Sequence, residues 1–197
     1  MEVPSLIFDK LWRSKYATEK YVTKLLSGKI NFSGKRVLDF GCGTGSYSFL
    51  FDPDKYLGVD VDGKRIAYAQ KHYPKYKFQK IDANTLKIEK DKFDYIFIVS
   101  VLHHLNNKTN KKYIKQFFEI LDKHGMIVGM EPCLFLNTPL NNWFMKFIDR
   151  GKFIKTEQEY QSLFKDLFLF ETQKKYTRHF MYNELFYIVH KKFKEVM

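Results

Sequence analysis

At 197 residues the chain has the size of one domain with a core of its own, and its 45% apolar and 18% aromatic content excludes a disordered chain. No run approaches the roughly 18 consecutive apolar residues of a membrane-spanning helix, and the start Met1-Glu2-Val3-Pro4 lacks the basic-then-apolar pattern of a secretory signal. The net charge of +12 is spread evenly over both halves, without the clustered face or tail of a phosphate footprint, so no nucleic-acid partner is expected. An anionic substrate, or an anionic membrane surface met peripherally, stays open.

Residues 6–30 carry apolar side chains at helical spacing (Leu6, Ile7, Leu11, Trp12, Tyr16, Tyr21, Val22, Leu25, Leu26) and stop at Gly28, which predicts one or two amphipathic helices. Arg36–Phe40 then reads as the first strand. It runs into Asp39-Phe40-Gly41-Cys42-Gly43-Thr44-Gly45, three glycines at alternate positions that let the backbone turn tightly and approach a ligand. A short helix over Gly45–Phe51 would aim its amide end at that ligand. The Asp39 carboxylate suits a cationic amino group and would repel a pyrophosphate. A dinucleotide site would place the third glycine at Ser46 rather than Gly45.

Tyr56–Val61 is the second predicted strand, ending in Asp60 about 20 residues after Asp39, the offset at which a second-strand acid grips ribose hydroxyls. Asp62 reads as the cap of a helix over Gly63–His72, which Pro74 stops. Tyr76–Ile81 is the third strand, with Asp82 and Ala83 at its tip. Phe93–Val99, nearly unbroken in apolar residues, is a central parallel strand covered on both faces. A helix over Lys108–Leu121 follows, with His124-Gly125 as a stop signal and Met126–Met130 as the fifth strand. This alternation predicts a doubly wound α/β domain. After Glu131-Pro132 the rhythm changes to an irregular stretch leading to Trp143–Ile148, then a helix around Thr156–Asp166 and closing strands over Phe168–Thr177 and Glu184–Lys191.

The acidic residue followed by Gly41-x-Gly43-x-Gly45 resembles the first motif of class I S-adenosylmethionine-dependent methyltransferases. Ser100-Val101-Leu102-His103-His104-Leu105 and Leu121-Asp122-Lys123-His124-Gly125 resemble the small-molecule, ubiquinone/menaquinone-biosynthesis-like branch (type 11/12), although Lys123 and His124 stand where relatives carry Pro and Gly. The match is close over residues 34–131 and loose beyond. It implies a Rossmann-like seven-stranded sheet of order 3-2-1-4-5-7-6 with strand 7 antiparallel. It also implies one domain divided into N-terminal helices (1–33), a cofactor core (34–131), an insertion or lid (132–167) and a strand pair (168–197). The cofactor is then S-adenosylmethionine. Its methionine moiety would meet Asp39 and the Gly41, Cys42, Gly43 and Gly45 backbone; its ribose Asp60 beside Val61; its adenine Asp82 beside Ala83, with Ser100 at the fourth strand end. Tyr16 could close over the sulfonium by cation–π attraction. Asp82 could equally be a turn residue.

A hydroxyl acceptor needs a base, and either His103 or His104 could serve. Glu131 at the fifth strand tip is another candidate, or a hydrogen-bonded strand-end acid. Some quinone-pathway relatives hold a metal with Glu-x-x-Glu-His; Ser100-x-x-His103-His104 lacks both carboxylates, so no metal is expected. The Asn/Asp-Pro-Pro-Tyr/Phe element of amino-directed nucleic-acid methyltransferases is missing. Trp143, Phe144, Phe147, Phe164 and Phe168 could lid an apolar substrate, but their helical spacing predicts core packing. Arg150 and Lys152 could meet an anionic group or simply be solvated. Cys42 and Cys133 read as free buried thiols in a reducing cytosol. The expectation is a cytoplasmic methyltransferase of a small, lipid-like or glycan-linked metabolite. The alternatives are an NAD(P)-dependent oxidoreductase and a non-catalytic cofactor-binding subunit. The oligomeric state is left open.

Overall fold

An apolar run without a polar face can sit in a sheet only when both faces are covered, and Phe93–Val99 holds that position here. The computed structural model describes residues 22–83, 85, 86, 88, 92–148, 152–178 and 180–192. Its strands are β1 (Val37–Phe40), β2 (Tyr56–Asp60), β3 (Lys77–Lys80), β4 (Phe93–Val99), β5 (Leu121–Leu134), β6 (Lys155–Thr156), β7 (Phe168–Arg178) and β8 (Tyr182–Lys191). The main path runs β3-β2-β1-β4-β5-β8-β7, with two-residue β6 paired to β5. β1 to β5 are parallel, and β8 runs antiparallel to both β5 and β7. This is the expected order once β7 and β8 are counted as the sixth and seventh strands.

Side chains alternate between two cores with the strand period of two. Tyr95, Phe97 and Val99 face one core with Val22, Leu26, Ile66 and Ala69. Ile96 and Ile98 face the other with Tyr113, Phe117, Tyr160 and Phe164. The first face is covered by α1 (Lys24–Leu26) and α2 (Gly63–His72), the second by α3 (Asn107–Ile120) and α5 (Glu157–Phe164). Each fully buried ring such as Phe97 or Phe117 contributes roughly 2 kcal/mol relative to exposure.

Local signals placed most helix ends. Asp62 accepts from the backbone N–H groups of Lys64 and Arg65, capping α2 as expected. Asn106 accepts from Thr109 N–H at the start of α3. Thr156 and Glu159 bond each other's backbone in a capping box that opens α5. Of the expected N-terminal helices, residues 6–21 lie outside the described residues; α1 ends before Gly28, whose φ of +74° stops it.

Three expectations are corrected. No α-helix follows the glycine loop: Ser48–Leu50 is a single 3-10 turn. Tyr47 and Phe51 are both drawn into the core, where Phe51 stacks on Tyr56 and meets Phe97 edge-on, and Pro53 follows at once. Anchors this closely spaced leave no room to wind helical turns. The fifth strand is far longer than Met126–Met130, because Gly125 continues it: a Cβ there would press on the Phe93 and Asp94 carbonyls of β4. Third, Trp143 and Phe147 on α4 (Pro139–Ile148) are exposed rather than packed in the core, and Phe144 is half-buried, while Phe164 and Phe168 are buried as expected.

Cys42 and Cys133 are both buried, and neither forms a disulfide. Gly129 in β5 lies against the fully buried Tyr187 ring, and a Cβ would clash with the hydroxyl end of that ring. Gly129→Ala should therefore destabilise the domain by about 2–3 kcal/mol, read as a lowered urea midpoint; an unchanged midpoint would show that Tyr187 moves aside freely.

Candidate active site

Because β1 to β5 are parallel, their C-terminal ends share one edge, the usual ligand crevice of open α/β sheets. On that edge Gly41, Gly43 and Gly45 take φ values of +76°, +56° and +77°, left-handed conformations that favour glycine. Gly41 and Cys42 both donate to the Val59 carbonyl at 2.8 and 3.0 Å. The loop thus folds over the end of β2. Gly43 N–H donates to Asp60 Oδ2 at 2.9 Å, and Asp62 N–H to Asp60 Oδ1 at 2.8 Å. Asp60 is half-exposed, with Val61 exposed beside it. Asp82 and Ala83 are exposed beyond β3, the Asp82 carbonyl accepting from Tyr113 Oη at 3.2 Å.

Asp39 differs from its expected open position. It is 2% exposed, and its Oδ2 accepts from Tyr56 Oη at 2.7 Å. Burial, with the Asp39 charge beside it, pushes the Tyr56 hydroxyl well above its ordinary pKa, so it stays protonated and donates. Tyr16 and Arg150 lie outside the described residues; Lys152 is exposed.

The β4 end is held from both sides. Ser100 has φ +56°, strained for a residue with a side chain, and its N–H donates to the Met130 carbonyl at 2.8 Å. Glu131, expected as a base or a strand-end acid, is wholly buried. Its Oε1 accepts from Val101 and Leu102 N–H at 2.8 Å each. Its Oε2 accepts from His103 N–H at 3.3 Å and lies 2.8 Å from His103 Nδ1, which donates to it in the tautomer protonated at Nδ1. Four donors occupy this carboxylate, and it does not face the crevice. His103 is buried, and its ring centroid lies 4.0 Å from that of His104, which is exposed.

The carbonyls of the same turn are satisfied by residues that the sequence did not mark. Asn110 Nδ2 donates to the Leu102 and Leu105 carbonyls, both at 3.0 Å. Buried Lys155 donates to the same two at 3.3 Å and to the Phe153 carbonyl at 2.8 Å. Burial pushes the Lys155 ammonium pKa down, while Glu131 and Glu159 pull it up. Phe153 N–H closes the turn onto the His103 carbonyl at 3.0 Å. Farther along the edge, Arg178 and Glu184 form a buried ion pair at 2.9 Å on the β7–β8 hairpin. No motif signals any of these; the Lys155 bonds to the Leu102 and Leu105 carbonyls join residues 53 and 50 positions apart.

Residues 37–125 match the family described as a methyltransferase domain. The match spans less than half of the chain and supports a class I S-adenosylmethionine-dependent methyltransferase. Its family cofactor is S-adenosylmethionine, and the nicotinamide alternative gives way to it. This methyltransferase is 31% identical over 135 residues to a tRNA U34 carboxymethyltransferase of Sulfurimonas denitrificans, covering 64% of this chain and 43% of that one. It is 26% identical over 170 residues to a ubiquinone biosynthesis O-methyltransferase of Cereibacter sphaeroides, covering 75% and 67%. The chain thus spans less than half the length of the first relative. In fold it is similar to the N-methyltransferase NodS of Bradyrhizobium japonicum, solved with S-adenosylhomocysteine, with a TM-score of 0.69 at 15% identity over 91% and 89% of the two chains.

The crevice fits that cofactor by its charge. Asp39, Asp60 and Asp82 stand at three neighbouring strand ends, and neither Val37–Ser48 nor Tyr56–Asp62 contains a basic residue to meet phosphate. Among the described residues, no group of three or more His, Cys, Asp or Glu is placed to hold a metal. No described helix is long and apolar enough to cross a membrane.

Glu131→Gln would turn an amide NH2 toward backbone donors that now reach a carboxylate. It should destabilise the protein by about 3 kcal/mol in urea unfolding, whereas a loss below about 1 kcal/mol would mean the turn stands without this anchor.

Proposed function

We propose that this methyltransferase transfers a methyl group from S-adenosylmethionine to a small-molecule acceptor of lipid-like or glycan-linked type. The observation that carries the reading is the clasp of Asp60 on Gly43: a half-exposed carboxylate locks the glycine loop and keeps lone pairs for ribose hydroxyls. In this reading the Gly41–Gly45 backbone and the field of Asp39 favour the cationic amino-acid end, and Asp82 with Ala83 borders the adenine. Residues 34–131 bind the cofactor, 132–167 wall the acceptor space and 168–197 complete the sheet.

Bound S-adenosylmethionine supplies an electrophilic methyl group on its sulfonium. The chain must then hold the acceptor in line, exclude water and take the acceptor's proton. Glu131, Lys155 and Asn110 position the Ser100–Leu105 turn. Of the two imidazoles, exposed His104 is the one an acceptor can reach, so we assign it the proton. Buried His103 is a positioning residue. Similarity to the ubiquinone-pathway relative supports a small acceptor. The tRNA-modifying relative makes tRNA the control substrate in any turnover screen.

Asp60→Ala should weaken S-adenosylhomocysteine binding by ~1–3 kcal/mol in calorimetry, since ribose hydroxyls lose an acceptor and the loop its clasp; an unchanged affinity would remove Asp60 from the site. With an acceptor found by screening metabolite pools, His104→Ala should lower kcat by about 100-fold or more and leave cofactor affinity intact. An equal kcat would acquit His104. Turnover on tRNA alone would overturn the acceptor class.

A further inference from the structure

The second face of α4 has no role in the site. Its inner side is bolted to β8: Met145 is buried and its sulfur accepts from Asn183 N–H at 3.2 Å. Asn141 donates to the Asn183 side chain and to the Phe180 carbonyl, both at 3.2 Å, and Asn142 to the Phe135 carbonyl at 2.8 Å. A helix held this firmly presents its outer stripe by construction. That stripe is Leu140, Trp143 and Phe147, at i, i+3 and i+7, with exposed Leu136 in the turn before the helix; Trp143 is 66% and Phe147 78% exposed and their rings stack at 5.8 Å.

Phe180 at the tip of the β7–β8 hairpin adds to it. It is 95% exposed and holds φ +64°, so a bulky residue accepts backbone strain and gains no burial in the isolated chain. Its carbonyl is bonded to Asn141, which puts the tip beside α4. Contiguous apolar exposure of this kind marks an interaction surface.

The charges around it select the partner. Residues 132–148 and 178–183 contain no acid at all. Lys146 on α4 and Lys152 after it are exposed. The whole chain carries +12. An aromatic and leucine stripe with basic neighbours and no carboxylate is the composition of an interfacial helix on anionic lipid. We infer that this face docks on an anionic bilayer: Leu136, Leu140, Trp143, Phe147 and Phe180 enter the headgroup–acyl boundary, and the lysines meet lipid phosphates. This concerns the surface alone and stands whether or not the acceptor is lipid-like.

The test is cosedimentation of the full chain, without cofactor, with phosphatidylcholine vesicles made with and without phosphatidylglycerol. Binding is expected only with phosphatidylglycerol, and weaker at high salt. The double variant Trp143→Ser with Phe147→Ser should lower vesicle partition by about 10-fold or more, with unchanged melting because neither ring is buried. Phe180→Gly should also lower partition while relieving the strained φ. In a Trp12→Phe background, the emission of Trp143 should shift to the blue on binding. No sedimentation with either vesicle, or undiminished binding by the double variant, overturns the proposal. So does a dimer in light scattering that the double variant dissociates in the absence of vesicle binding, which would assign the face to a second copy.

Discussion

Glu131 carries its carboxylate into a site closed to solvent, and this is tolerable because every direction around it is met by a donor. Three consecutive backbone N–H groups and the His103 ring converge on its two oxygens. A buried charge left unpaired would be strongly destabilising; here the pairing also fixes the turn after β4, whose carbonyls point the other way to Asn110 and Lys155. The turn is thereby satisfied on both its donor and acceptor sides. A segment so fully accounted for is a rigid wall, and in the proposed reading it borders the acceptor.

The cofactor side is built on a similar economy with opposite exposure. Asp39 is spent inward on Tyr56, whereas Asp60 is half-exposed and divides its oxygens between the glycine loop and the start of α2. One acid shapes the floor; the other joins the loop to the ligand edge. The short 3-10 turn at Ser48–Leu50 supplies little helix dipole after the glycine loop.

The acceptor side and the outer surface meet in α4. Its asparagines and Met145 tie it to β8 near the buried Arg178–Glu184 pair, and its apolar stripe faces outward. One short helix thus borders the space beyond β5 and exposes a wedge to the surroundings.

What the sequence by itself determined is the part governed by short-range physics. Most strand and helix periods, the Asp62 cap and the alternate glycines each depend on residues a few positions apart, and the structure has these near where the pattern predicts, the helix after the glycine loop and the ends of β5 excepted. The strand order followed from resemblance, and the sheet agrees. Tertiary structure alone decided which way Asp39 turns, whether Glu131 faces the crevice, and that Lys155 serves the β4 turn. Those outcomes rest on partners 17, 28 and 53 residues away, whose convergence no local pattern encodes. Amphipathic spacing likewise marks Trp143 and Phe147 as one face of a helix, but a period says only that residues share a face. Which face is covered depends on what the rest of the chain brings to it, and here Asn183 and β8 took the other one.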